Sequence, residues 1–516
     1  MTALIRRAAL ASAALLIAGT VTGCDSGTDT GGAGQGHGPA ATTSAAPRAT
    51  RPSPSLPSSL TGRRLHWHAC DPQGWECATA KAPLDYARPA GPTVSLALIR
   101  KPARDRERRL GSLLFNFGGP GGSGVDILPA AASAYGDLNS RYDLVSWDPR
   151  GVARSAGVVC RSDKEQAAAE RNVDLTPDTP AEQRAYLKDG ADFGAGCERQ
   201  SGRVLPWIGT SNSARDMDLI RQVLGEPKLN YFGISYGTEL GGTYAHLFPG
   251  KAGRTVLDAV VDPTADTVGH ARNQTLGFQR ALDDYLRSTG QDPKAGTARI
   301  AALLKRVDAH PLPTGTSRGL NQSLALTGII RPLYSKDTWP SLTRALGEAE
   351  EKGTGRALLA LADAYNDRDA EGHYSTQSSS QRAIDCADSK ARPTAAQAAE
   401  LLPAFRKLSP VFGDFLAWDT AGWCSGWPVA GERDHPEASA KGAGPIMVVG
   451  TTGDPATPFE GARRMAGELG PGVGVLLVNK GEGHGAYNGG SECVTRTVNA
   501  YLLEGKVPAD GTVCTS

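Results

Sequence analysis

Residues 229–237 read Leu-Asn-Tyr-Phe-Gly-Ile-Ser-Tyr-Gly, and no other segment constrains this chain so much. An apolar run suited to a buried strand ends at Ser235, and helical spacing resumes over 238–248. Gly233 and Gly237 flank the serine at the spacing of a sharp strand-to-helix turn. Such a turn leaves room for close backbone approach and pushes the serine hydroxyl out above a sheet. Alone the five-residue pattern is weak, because 63 of the 516 residues are glycine and a serine in an ordinary turn would look the same. The strand before it and the helix after it supply the missing context.

The same alternation runs through most of the chain. Strand-like runs occupy 93–99, 113–117, 142–147 and 255–261, and helical spacing occupies 212–224. Residues 270–428 differ: amphipathic helical patterns such as 278–286 and 300–307 dominate, and buried strand runs are few. Strands return at 446–449 and 473–478, with helices at 460–469 and 494–503. The expected class is α/β, a mostly parallel sheet with helices on both faces and an inserted, mainly helical cap. The boundaries implied are a first core part at 62–269, the cap at 270–428 and a second core part at 429–516.

The segment ahead of the core has another character. Arg6 and Arg7 precede an apolar stretch ending near Val21, too short to span a bilayer and shaped like a signal peptide over 1–23. It closes on Val21-Thr22-Gly23-Cys24, which fits lipidation of Cys24; an ordinary signal peptide with Cys24 incidental is the alternative. Residues 24–61 are rich in Gly, Ser, Thr, Pro and Ala and read as a flexible tether. No later apolar run could cross a bilayer, so the expectation is an exported protein, secreted or on the cell surface, touching membrane only through a lipid anchor. A net charge of +1, with no long run of one sign, argues against a nucleic-acid partner.

Cysteine usage agrees with export. Setting Cys24 aside leaves eight of nine: Cys70, Cys77, Cys160, Cys197, Cys386, Cys424, Cys493 and Cys514. An even number outside the cytosol points to disulfides, and pairing of neighbours is the simplest arrangement, although sequence does not fix connectivity. The spacings do not fit a zinc site, and neither metal nor cofactor is expected.

A serine needs a base to become a nucleophile, and the base needs an acid to orient it. Where the serine sits on a strand-to-helix turn, acid and histidine follow in that order after later strands. Asp454, in Gly453-Asp454-Pro455, follows the strand at 446–449; a turn-capping aspartate is its bland alternative. His484, in Gly483-His484-Gly485, follows the strand at 473–478 and has little core to fill there. The oxyanion of a tetrahedral intermediate needs backbone N–H donors. Tyr236, next to the serine, is one candidate, and Gly119 in the glycine-rich loop 117–124 is the other. That loop lacks the lysine of a phosphate-binding loop.

Several blocks together resemble the tripeptidyl-aminopeptidase-like branch of the α/β-hydrolases, related to proline iminopeptidases. They are residues 116–124, Asp148-Pro149-Arg150-Gly151, residues 233–238, Gly453-Asp454-Pro455-Ala456-Thr457-Pro458, Gly483-His484-Gly485, and in the cap Asp385-Cys386-Ala387-Asp388 and Cys424-Ser425-Gly426-Trp427. The resemblance implies an α/β-hydrolase core and a serine exopeptidase that removes short peptides, tripeptides in particular, from free N-termini. Ser235, Asp454 and His484 then take the triad roles. Recognising an ammonium group calls for carboxylates near the cleft, and Glu239, Asp385 and Asp388 are candidates beside their reading as solvated or structural acids. Two other readings stay open: an esterase or other small-molecule hydrolase on the same machinery, and a binding lipoprotein without catalysis.

Overall fold

The computed structural model describes residues 55–62 and 64–515. Cys24, the expected signal segment and most of the expected tether lie outside the described residues. The described end of the stretch expected to be a tether is ordered against the core. Ser58–Thr61 forms a helical turn, and Leu56 and Leu60 pack against the core.

Ten strands form one sheet: β1 (His68–Cys70), β2 (Trp75–Pro83), β3 (Thr93–Lys101), β4 (Gly111–Asn116), β5 (Tyr142–Trp147), β6 (Leu229–Ile234), β7 (Ala252–Asp258), β8 (Ile446–Gly453), β9 (Gly474–Glu482) and β10 (Thr512–Thr515). Their order is β1-β2-β3-β5-β4-β6-β7-β8-β9-β10. β1 to β3 join antiparallel, β3 meets β5 antiparallel, and every pairing beyond β5 is parallel. β4 and β5 are buried at every residue, as strands covered on both faces must be. Successive side chains point to opposite faces, so Leu113 and Phe115 enter one core cluster while Leu114 enters the other. Each fully buried side chain of this kind contributes about 1.5–3 kcal/mol. Leu114→Ala should cost about 2–5 kcal/mol, because the sheet and the helix layer leave little room to collapse.

Eight α-helices between Thr267 and Gly422 form the cap. The first, Thr267–Ser288, touches the loop after β8 so closely that a Cβ on Gly277 would meet Pro455 O at 2.2 Å. Helices Asp163–Asn172 and Pro180–Ser201, inside the stretch expected to be the first core part, also join this layer. Glu170 binds Arg318 at 3.0 Å and accepts from Tyr374 and Asn366. Tyr186 packs edge-on against Trp418. Disulfides link Cys70 to Cys77, Cys160 to Cys197, Cys386 to Cys424 and Cys493 to Cys514. The third ties helix Gln377–Asp388 to the end of helix Gly413–Gly422.

Candidate active site

Loops after β4, β6, β8 and β9 leave the same carboxyl edge of the parallel strands, with β7 between β6 and β8. Ligand sites in such sheets form at this edge. Ser235 follows β6 and opens helix Tyr236–Leu247, with φ 58° and ψ −127°. This left-handed φ is costly for a residue with a Cβ and is held by its surroundings. A Cβ on Gly233 would meet Gly237 O at 2.3 Å, and one on Gly237 would meet Asn116 O at 2.6 Å. The two glycines are therefore required by close approach of backbone, as the motif implies.

The glycine-rich loop after β4 lies against this turn. A Cβ on Gly118 would sit 2.8 Å from Ser235 Cβ and 3.2 Å from Tyr236 N. The loop is held from behind: Ser123 donates its hydroxyl to Asp148 at 2.6 Å, and Val125 N donates to the same carboxylate. Arg150, two residues on, is buried in a bidentate pair with Asp216. Gly119, Ser235 and Tyr236 border one cavity between core and cap.

Asp454 and His484 meet as a pair. His484 Nδ1 lies 2.9 and 3.0 Å from the two Asp454 oxygens. The carboxylate also accepts from Ala456 N, Thr457 N and the Thr457 hydroxyl. Each charge-assisted bond of this kind fixes the acid's orientation. Burial pulls the His484 imidazole down, but the charge and hydrogen bond of Asp454 and the charge of Asp258 outweigh it and leave the pKa above the usual value. Its Nε2 is buried and has no hydrogen-bond partner among the described residues. With Nδ1 committed to Asp454, Nε2 is the atom free to take a proton. The cap reaches this pair directly: Tyr334 O accepts from His484 N at 2.8 Å, and the Tyr334 ring packs edge-on against the imidazole.

The cavity wall beyond Ser235 is rich in acceptors. Glu239, Asp385, Asp388 and Asp419 all line it, with Arg433. Arg433 binds Glu239 at 2.7 Å and Asp388 at 3.4 Å. Asp388 is further held by Thr210, whose amide and hydroxyl donate at 2.8 and 2.5 Å. Asp385 accepts from Trp423 Nε1 at 3.0 Å. Asp419 Oδ1 and Gln381 Oε1 are buried without a partner among the described residues. Burial pushes the Glu239 and Asp419 carboxyls up to about 7, and it drives Asp385 well above the carboxylate range.

All three residues expected to form a triad thus come from loops on one sheet edge, and the acids suggested for amine recognition come together in one cavity. Asp419, Arg433, Thr457 and Tyr334 were not singled out by sequence. Thr457 lies inside the 453–458 block and Arg433 a few residues past the expected cap boundary, but nothing local marks them as facing the site.

Residues 409–514 match a family model described as TAP-like protein. The chain is 35% identical over 486 residues to serine protease Hip1 of Mycobacterium tuberculosis, covering 88% of this chain and 91% of that protein. It is 35% identical over 461 residues to carboxylesterase B of the same species, covering 85% and 86%. It is 30% identical over 475 residues to tripeptidyl aminopeptidase of Streptomyces lividans, covering 87% and 86%.

Proposed function

Because the chain belongs to the TAP-like α/β-hydrolases and is a serine hydrolase of peptidase type, we propose that it releases short peptides, tripeptides in particular, from free N-termini. The observation that carries this reading is the acceptor-rich cavity beside Ser235, where Glu239, Asp385, Asp388 and Asp419 lie together and Arg433 pairs with Glu239 and Asp388. A buried surplus of carboxylates is costly unless a cation joins them. The ammonium of a peptide N-terminus supplies such a cation, and an acetylated N-terminus does not.

The chemistry follows from the residues in place. His484 Nε2 takes the Ser235 proton as Oγ bonds to the scissile carbonyl carbon. Asp454 keeps the proton on Nδ1 and stabilises the imidazolium. The carbonyl oxygen, now negative, is received by the backbone N–H groups of Gly119 and Tyr236. The carbon–nitrogen bond breaks, and the imidazolium returns its proton to the leaving amine. Water, deprotonated by the same imidazole, then frees the acyl peptide from Ser235. The cap limits access to chain ends. Four disulfides and the signal-like N-terminus support an exported protein working in an oxidising compartment. The suggested anchoring at Cys24 belongs to the same reading.

The carboxylesterase among the relatives favours ester hydrolysis as a second reading. Chromogenic tripeptide amides with free and acetylated N-termini, assayed beside short-chain esters, separate the two. The free-amine peptide should exceed its acetylated counterpart by about hundredfold or more in kcat/KM. Turnover of esters alone, or no preference for the free amine, would sink the peptidase reading.

A further inference from the structure

Asp258 closes β7 between the strand that delivers Ser235 and the strand that delivers Asp454, and it pairs with Ile234 and Val449. Only 2% of it is exposed. Its carbonyl oxygen accepts from Ser235 N at 3.1 Å. Its carboxylate accepts from Ala486 N at 3.0 Å on either oxygen and from Tyr487 N at 2.9 Å. These amides lie two and three residues past His484. One residue therefore holds the nucleophile's backbone with its main chain and the histidine loop with its side chain.

Holding two amides does not require a charge, since a neutral acceptor would satisfy them. A buried carboxylate costs several kcal/mol unless something answers its charge. The charged and titratable groups around Asp258 are Asp454 and His484, from the loops after β8 and β9, with Tyr135 and Tyr487, whose rings stack on each other. Burial pushes the Asp258 carboxyl up to about 6, the two amides hold it down, Asp454 raises it and His484 lowers it. Of these groups, only the imidazole can become a cation.

We infer that Asp258 is a positioning residue for the reaction: it sets the His484 imidazole against the Ser235 hydroxyl, and its charge favours the imidazolium that forms when Ser235 gives up its proton. The inference rests on the Ser235–His484 reading above. Neither the acid order along the chain nor the motif at His484 points to it.

The test is the pH dependence of fluorophosphonate labelling, which needs the activated serine but no knowledge of the substrate. Asp258→Asn should label about tenfold to hundredfold more slowly at neutral pH. The acid limb of its profile should move down by about one pH unit, because the lost negative charge no longer favours the protonated imidazole. Asp258→Glu keeps the charge and shifts the carboxylate, so its rate should fall while its acid limb stays in place. A folded Asp258→Asn protein, checked by thermal unfolding, with the wild-type limb and rate would overturn the inference and leave Asp258 a structural acid. If Asp258→Asn does not fold, a wild-type labelling rate in Asp258→Glu would overturn it as well. Labelling that persists in Ser235→Ala would instead break the underlying reading.

Discussion

Asp454 and Asp419 are both buried carboxylates of this one site, and they are held in opposite ways. Asp454 accepts from two amides, the Thr457 hydroxyl and His484. Asp419 leaves Oδ1 without a partner among the described residues and is pushed up to about 7 by burial, against the charge of Arg382. The first arrangement is complete before any substrate arrives. It suits a group whose task is to orient a base, because preorganised dipoles need no rearrangement during reaction. The second is incomplete. On the proposed function it suits a group whose partner comes with the substrate, because a peptide ammonium would add a cation beside Arg433, which pairs with Glu239 and Asp388. On the same proposed function, the sheet edge serves the chemistry and the cavity acids serve recognition.

The division is open to attack where the expected effect is largest. Asp454→Asn should lower kcat about 10⁴-fold with little change in KM, since the amide favours the wrong tautomer of His484. A KM effect of similar size would merge the two regions. Next, Glu239→Gln and Asp419→Asn should each raise KM for a free-amine peptide about ten- to hundredfold, while fluorophosphonate labelling stays within about twofold. An equal loss of labelling would place these acids in the reaction machinery.

pH gives a third handle. Protonating Glu239 and Asp419 removes the charge that attracts the ammonium. The kcat/KM for a free-amine peptide should therefore fall as pH drops through about 7, and Asp419→Asn should flatten that part of the profile. The same shift has a stability consequence. The folded carboxyl of Asp419 titrates above its unfolded value, so the folded state binds the extra proton between about pH 4 and pH 7, and stability falls as pH rises through that window. Asp419→Asn should then be more stable than wild type by about 2 kcal/mol at pH 7.5, with no gain at pH 4, as read by thermal unfolding at both pH values. No gain at pH 7.5 would mean that Asp419 already has its counter-charge. The smallest effect belongs to Thr457→Val, which removes one of several donors to Asp454. Its kcat should fall about threefold to tenfold with KM unchanged in steady-state assays.

The two regions also differ in how far the sequence reveals them. Ser235, Asp454 and His484 each sit in a glycine- or proline-marked turn directly after an apolar strand run, so local pattern alone places them on one sheet edge. The cavity acids come from helix Tyr236–Leu247, helix Gln377–Asp388 and helix Gly413–Gly422, and their common face exists only after the cap helices pack. Glu239, Asp385 and Asp388 came into view through chemical need, whereas Asp419 lies on a helix buried nearly all round, where periodicity marks no face. Asp258 is the intermediate case. Its strand is legible, but its contact with the histidine loop spans more than 200 residues of chain.

Catalysis on this site stands or falls with the Ser235 hydroxyl. Treating the protein with a fluorophosphonate and locating the adduct by peptide mass spectrometry tests it most directly. One adduct per chain on Ser235, absent from Ser235→Ala together with all peptide hydrolysis, is the result expected. An adduct on another residue, or hydrolysis that survives in Ser235→Ala, would contradict it.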